Sequence, residues 1–247
     1  MWKSMEVDVL SLEAKMKQIL VITDGCSNVG ESPIEAAADA RRQGIAVNVI
    51  GVVEKGEMGG AGRDEVMRIA EAGNGMCRIV QPSDLSATAQ MMTHQTMQLT
   101  LQQAVNAELK SVLGKTQEEL PPEERARVTS VVDKLQEELH LDLIVLIDTS
   151  ASMKHKMDMV REAVRDLSFS LSARMGSSRV AVAVFPGQRG NWVETVQTFS
   201  ATLDPKALER CYVASGGTPT GPAIRHALQL FQEKMESGID EQWAALD

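Results

Sequence analysis

Leu141-Asp142-Leu143-Ile144-Val145-Leu146-Ile147 runs straight into Asp148-Thr149-Ser150-Ala151-Ser152. An apolar run of this length, nearly unbroken, is buried on both faces, as in a parallel sheet covered by helices. The acid and small polar residues that follow put oxygen donors where strand gives way to loop. Lys17-Gln18-Ile19-Leu20-Val21-Ile22-Thr23 leads in the same way into Asp24-Gly25-Cys26-Ser27-Asn28. The chain thus has two strand-to-acid junctions of one kind.

Between and beyond them the pattern alternates. Ser32-Pro33-Ile34-Glu35 combines an N-cap serine, a proline at the first helical position and a glutamate placed to close a capping box. That helix should run to about Gln43 and stop at Gly44. A strand over 46–52, a helix over 63–72 and a strand over 76–80 follow, and Ser83 caps a long helix toward Leu113. Residues 114–125, rich in Glu and Pro, interrupt the alternation. A helix to about His140 then places Val128, Val131, Val132, Leu135 and Leu139 on one face. The second half predicts a helix over 153–175, a strand over 179–185, an edge strand over 193–199 and a short helix over 205–211. Ser215-Gly216-Gly217-Thr218-Pro219-Thr220-Gly221 opens a last helix reaching Met235. Six strands with helices between most of them predict an α/β fold, a doubly wound and mostly parallel sheet. Ligands bind such sheets at the carboxyl ends of the strands, near the switch point.

Composition excludes several function classes. The chain has 247 residues, with 25 Lys and Arg against 34 Asp and Glu, a formal charge of −9. That acid excess repels phosphate backbones, and aromatics at 3% are too few for base stacking, so no nucleic-acid partner is expected. No run of about 18 apolar residues exists to insert into a membrane. Residues 1–17 lack the apolar run of a signal peptide. Three widely spaced cysteines, Cys26, Cys77 and Cys211, form no C-x-x-C pair. A cytoplasmic location is the expectation.

Nucleotide chemistry fits poorly. A dinucleotide fold needs a glycine-rich turn after its first strand, where this chain has Asp24. Gly114-Lys115-Thr116 resembles the tail of a phosphate loop, but Leu109 stands where the required glycine would be. A cation fits better. Asp24, Asp148, Ser150, Ser152 and Thr218 are oxygen donors in loops that follow strands or open helices. Mg²⁺ and Mn²⁺ take oxygen ligands, with one or two carboxylates among them. If Asp24 and Asp148 meet at the switch point, two like charges raise each other's pKa unless a cation intervenes.

These residues resemble the von Willebrand factor A domain and its metal-ion-dependent adhesion site. Asp148-x-Ser150-x-Ser152 is similar to the family's D-x-S-x-S, Gly216-Gly217-Thr218 to its threonine loop, and Thr23-Asp24-Gly25 to the acid after its fourth strand. The order differs, since the family places D-x-S-x-S first and T-D-G last. The resemblance therefore implies a circularly permuted domain built from 17–100 and 140–236, with 101–139 as a helical insert and 237–247 as a tail. It implies a Mg²⁺ or Mn²⁺ site of Asp148, Ser150, Ser152, Thr218 and Asp24, rimmed by Gly217, Gly25 and Lys154. It further implies a binding module and not an enzyme, accepting an Asp or Glu carboxylate from a partner protein. The halves could close within one chain or between two in a swapped dimer.

Plainer readings stand beside these. D-x-S-x-S alone should occur by chance in about one chain in twenty of this length. Ser150 and Ser152 could merely cap the following helix. Cys26 reads as a semi-buried filler before a nucleophile, and His155 and His226 as solvated or capping residues. Met91, Met92 and Met97 read as helix-packing residues. Lys154, His155 and Lys156 add positive charge at the rim, which an exposed helix start explains equally. The functional alternatives are a Mg²⁺-dependent hydrolase of a phosphorylated substrate and a scaffold with a dead metal site.

Overall fold

The computed structural model describes residues 16–54, 59–209 and 216–244. In chain order the elements are β1 (Met16–Thr23), α1 (Pro33–Arg42), β2 (Ile45–Val52), α2 (Gly60–Ala72), β3 (Cys77–Val80), α3 (Leu85–Leu113), α4 (Pro122–Glu138), β4 (Leu141–Asp148), α5 (Met157–Ser172), β5 (Ser178–Phe185), β6 (Glu194–Ser200), α6 (Pro205–Glu209) and α7 (Thr220–Ala244). The six strands form one sheet in the order β3-β2-β1-β4-β5-β6. Neighbours are parallel throughout, except that the edge strand β6 runs antiparallel to β5. This is the doubly wound α/β sheet that the alternation predicts.

Alternate strand residues feed two separate cores. Leu20 and Ile22 of β1 join Leu143, Val145 and Ile147 of β4 beneath α3, α4 and α5. Ile19 and Val21 join Ile144 and Leu146 on the opposite face, beneath α1, α2 and α7. Both faces are dry, which is why these strands read as apolar runs rather than as alternating ones. The polar exceptions are paired. Asn48 of β2 accepts at Oδ1 from the Met76 N–H (2.9 Å) and from Thr96 Oγ1 on α3 (2.8 Å), tying the entry of β3 and the middle of α3 to the sheet.

The segment between the halves is well packed. Leu101, Val105 and Leu109 on the outer part of α3 lie in the same core as Leu120, Val128, Val132 and Leu135 around α4. Arg174, after α5, donates to the Leu139 carbonyl just past α4 (3.2 Å), satisfying an otherwise orphaned group.

Several sequence expectations need correction. The helix expected over 153–175 is two pieces, a 3₁₀ turn over Ala151–Met153 and α5 from Met157. Met153 and Met157 are both buried, so the chain must tighten between them to seat both. Ser83 does not cap α3, since its hydroxyl donates to Asp84 instead. Met92 and Met97 pack as expected, whereas Met91 is 40% exposed. The short helix is described over Pro205–Glu209, and Cys211, its expected end, lies outside the described residues.

The winding positions the site. β1 connects through α1 to β2 on one side, and β4 through α5 to β5 on the other, so the connections diverge between β1 and β4. Ile22 is in register with Ile147. Thr23-Asp24 and Asp148 therefore leave the sheet side by side at its carboxyl edge, within one chain.

Candidate metal centre

Asp148 ends β4 fully buried, and both of its oxygens are held. Oδ2 accepts from Thr23 Oγ1 on the neighbouring strand at 2.6 Å, and Oδ1 from the Ser150 N–H at 2.8 Å. The first bond follows from the β1–β4 register, and the second makes the D-x-S turn close on its own acid. Ser150 Oγ lies 3.1 Å from Ser152 Oγ, which donates to Asp24 Oδ1 at 2.8 Å. Asp24 Oδ2 accepts from Lys156 Nζ at 2.8 Å. The side chains of Lys156 and Asp24 are only 4% and 3% exposed. One hydrogen-bonded chain thus joins Ser150, Ser152, Asp24 and Lys156, anchored at Asp148 through the Ser150 backbone.

Thr218 is held through backbone contacts against the loop that follows Asp24. Its N–H donates to Asn28 Oδ1 (2.7 Å), and its carbonyl accepts from Ser27 Oγ (3.1 Å) and the Asn28 N–H (3.2 Å). The two loops pack so closely that a Cβ on Gly217 would overlap Val29 and Asn28. Gly30, at φ +86°, turns the first loop beneath Pro222 and the ring of Trp192. On the far side, Glu65 of α2 accepts from the Ser27 N–H at 2.6 Å. Burial raises the Glu65 carboxyl above its ordinary value, and this bond works against the rise.

Burial pushes the Asp148 carboxyl up to about 6, with the charge of Asp24 adding to the rise. The bonds from Thr23 and Ser150 oppose that shift without cancelling it. Asp148 is thus held in the crevice at a desolvation cost that a cation would relieve, while Asp24 already meets the ammonium of Lys156. The nearby donors are hydroxyls, so the set of Asp24, Asp148, Ser150, Ser152 and Thr218 is all hard oxygen. That chemistry fits Mg²⁺ or Mn²⁺ and not a soft metal. Among the described residues, no cluster of three or more His, Cys, Asp or Glu exists elsewhere to hold a metal.

Of the expected rim, Gly25 has open space where a Cβ would stand, Gly217 is wedged between loops, and Lys154 is exposed. Lys156 is not at the rim. It falls on the buried stripe with Met153, Met157 and Val160, and its ammonium meets Asp24 instead of water. Asn28 and Glu65 carried no sequence signal, and the bond from Thr23 to Asp148 was not legible from T-D-G, because their partners lie far along the chain. Ser150 makes no side-chain cap to the turn that follows it, and Ser152 is engaged with Asp24. Cys26 is exposed, not the semi-buried filler expected, and what burial it has, with the charge of Glu65, raises its thiol, which disfavours a thiolate nucleophile. His226 is half-buried against Thr195 of β6 (2.6 Å).

Residues 11–117 and 142–240 match the model of the von Willebrand factor type A domain. The chain belongs to that family. It is 48% identical over 221 residues to "Uncharacterized protein YabS" of Bacillus subtilis (strain 168), covering 88% of this chain and 90% of that one. A crystal structure of an uncharacterized protein from Alicyclobacillus acidocaldarius subsp. acidocaldarius DSM 446 is 58% identical and superposes with a TM-score of 0.87. The match covers 91% of this chain and 97% of that one. Domains of this family are protein-interaction modules. No helix among the described residues is long and apolar enough to cross a membrane.

Proposed function

We propose that this chain is a divalent-metal-dependent protein-binding module and not an enzyme. The observation that carries the reading is the meeting of Asp24 and Asp148, drawn from strands far apart in sequence into one buried, hydroxyl-lined crevice. Asp148, Ser150, Ser152, Thr218 and Asp24 would hold Mg²⁺ or Mn²⁺. When bound, the ion supplies a Lewis-acidic position for a carboxylate oxygen of a partner's Asp or Glu. The protein's own part is orientation. Thr23 aims Asp148, the D-x-S turn fixes Ser150, and Asn28 holds the Thr218 loop in place. We also read the chain as the family's domain in permuted order, because the T-D-G strand β1 precedes and flanks the D-x-S-x-S strand β4. The thiols of Cys26 and Cys77 are free, which supports a cytoplasmic setting.

The test is a thermal melt of wild type and Asp148→Ala with Mg²⁺, with Mn²⁺ and with chelator. A ligand that binds only the folded state raises the melting temperature by mass action. Wild type should melt higher with either metal, and Asp148→Ala should not respond. Equal curves for wild type in all three conditions, with acetate present as a carboxylate ligand, would overturn the metal reading. Mg²⁺-dependent hydrolysis of generic phosphate esters, lost in Asp148→Ala, would favour the hydrolase over the binding module.

A further inference from the structure

The ammonium of Lys156 lies 2.8 Å from Asp24 Oδ2, inside the cluster that would hold the metal, and both side chains are almost wholly removed from solvent. A buried pair of this kind interacts strongly, because little water screens it. Lys156 is fixed there by its own segment. The buried Met153 and Met157 flank it, its N–H donates to the Met153 carbonyl (2.9 Å), and its carbonyl accepts from the Val160 N–H (3.0 Å). The ammonium therefore cannot retreat to solvent without unseating the start of α5.

This placement changes the charge of the crevice. With both carboxylates ionised, Asp24, Asp148 and Lys156 leave one net negative charge. A divalent ion converts that to one net positive charge, close to a fixed ammonium. We infer that Lys156 is a resident counter-cation that opposes metal binding on its own and couples it to a carboxylate ligand, which restores neutrality. Metal and partner then bind together or weakly. Coupling of this kind is reciprocal, so the carboxylate tightens the metal by the factor by which the metal tightens the carboxylate. The inference rests on the proposed metal site and assigns its control to this chain's own lysine.

The experiment is calorimetric titration of Mg²⁺, at pH 8 so that Asp148 is ionised, with acetate as the carboxylate probe and chloride at equal ionic strength as control. Wild type should bind Mg²⁺ more tightly in acetate, by roughly threefold or more. Lys156→Met should bind Mg²⁺ in chloride about tenfold more tightly than wild type and lose most of the acetate effect. Lys156→Arg, which keeps the charge, should behave as wild type; a lysine serving only as packing would not show that rescue. If circular dichroism shows Lys156→Met unfolded, Lys156→Gln replaces it. Equal Mg²⁺ affinity in wild type and the neutral variant, or an acetate effect that survives the substitution, overturns the inference. Asp148→Ala separates the two failures. Should it abolish Mg²⁺ binding while Lys156→Met changes nothing, the metal site stands and only the role of Lys156 falls. Should none of the proteins bind Mg²⁺ in either salt, both readings fall.

Discussion

Asp148 makes the metal-free domain sensitive to pH. Its folded-state pKa of about 6 lies above its ordinary value of 3.8, so the folded chain holds that proton more tightly than the unfolded one. The resulting stabilisation is complete below pH 3.8 and is lost as pH rises through about 6. The difference between those two values corresponds to at most about 3 kcal/mol. Urea titrations in chelator should therefore show wild type losing up to about 3 kcal/mol relative to Asp148→Asn across that window. A difference between the two proteins that does not vary with pH would contradict the assignment. A metal bound at the proposed site would act in the opposite sense, because it requires the carboxylate. The Mg²⁺-induced rise in melting temperature should be largest near pH 8 and fade toward about pH 5, as the proton reclaims Asp148.

The threonine loop and the loop after β1 behave as one element, because they meet backbone to backbone. Gly217 is the contact. A methyl group there would overlap Val29 Cγ2 and Asn28 Oδ1, the atom that accepts from the Thr218 N–H. Gly217→Ala should therefore lift Thr218 away from the crevice and reduce the Mg²⁺-dependent thermal shift by more than half. Its melting temperature in chelator should fall by only a few degrees, as for a change of about 1–2 kcal/mol. Gly25→Ala is the matched control, since nothing stands within 4 Å of its added Cβ. It should keep both the fold and the metal response. Equal behaviour of the two variants would show that the loop contact does not set the position of Thr218.

Across the whole molecule, the central β1–β4 pairing joins the halves within a single chain. The connection between them is not a slack tether. α3 spans 29 residues, roughly 44 Å, and packs against β1, β2, α4 and α5, so it touches both halves at once. A swapped dimer would have to surrender those contacts while the hinge opened. Light scattering at micromolar concentration should accordingly return the mass of one 26.9 kDa chain. Twice that mass, persisting on dilution, would mean that β1 pairs with the β4 of a second copy.

What the sequence determined by itself was the local and the repetitive. The apolar runs ending in Thr23 and Asp148, the helix signals at Ser32-Pro33 and the six-strand alternation were all legible, because strand burial and capping act between residues close along the chain. The oxygen donors were legible for the same reason, as D-x-S-x-S, G-G-T and T-D-G each lie within one turn of backbone. The tertiary structure alone decided which way Lys156 points. On a helix, neighbouring residues differ by about 100° in direction, so a lysine beside two buried methionines reads equally well as rim or as core. Its position resolves only when Asp24 arrives from a strand 132 residues away and offers a carboxylate that makes burying an ammonium tolerable.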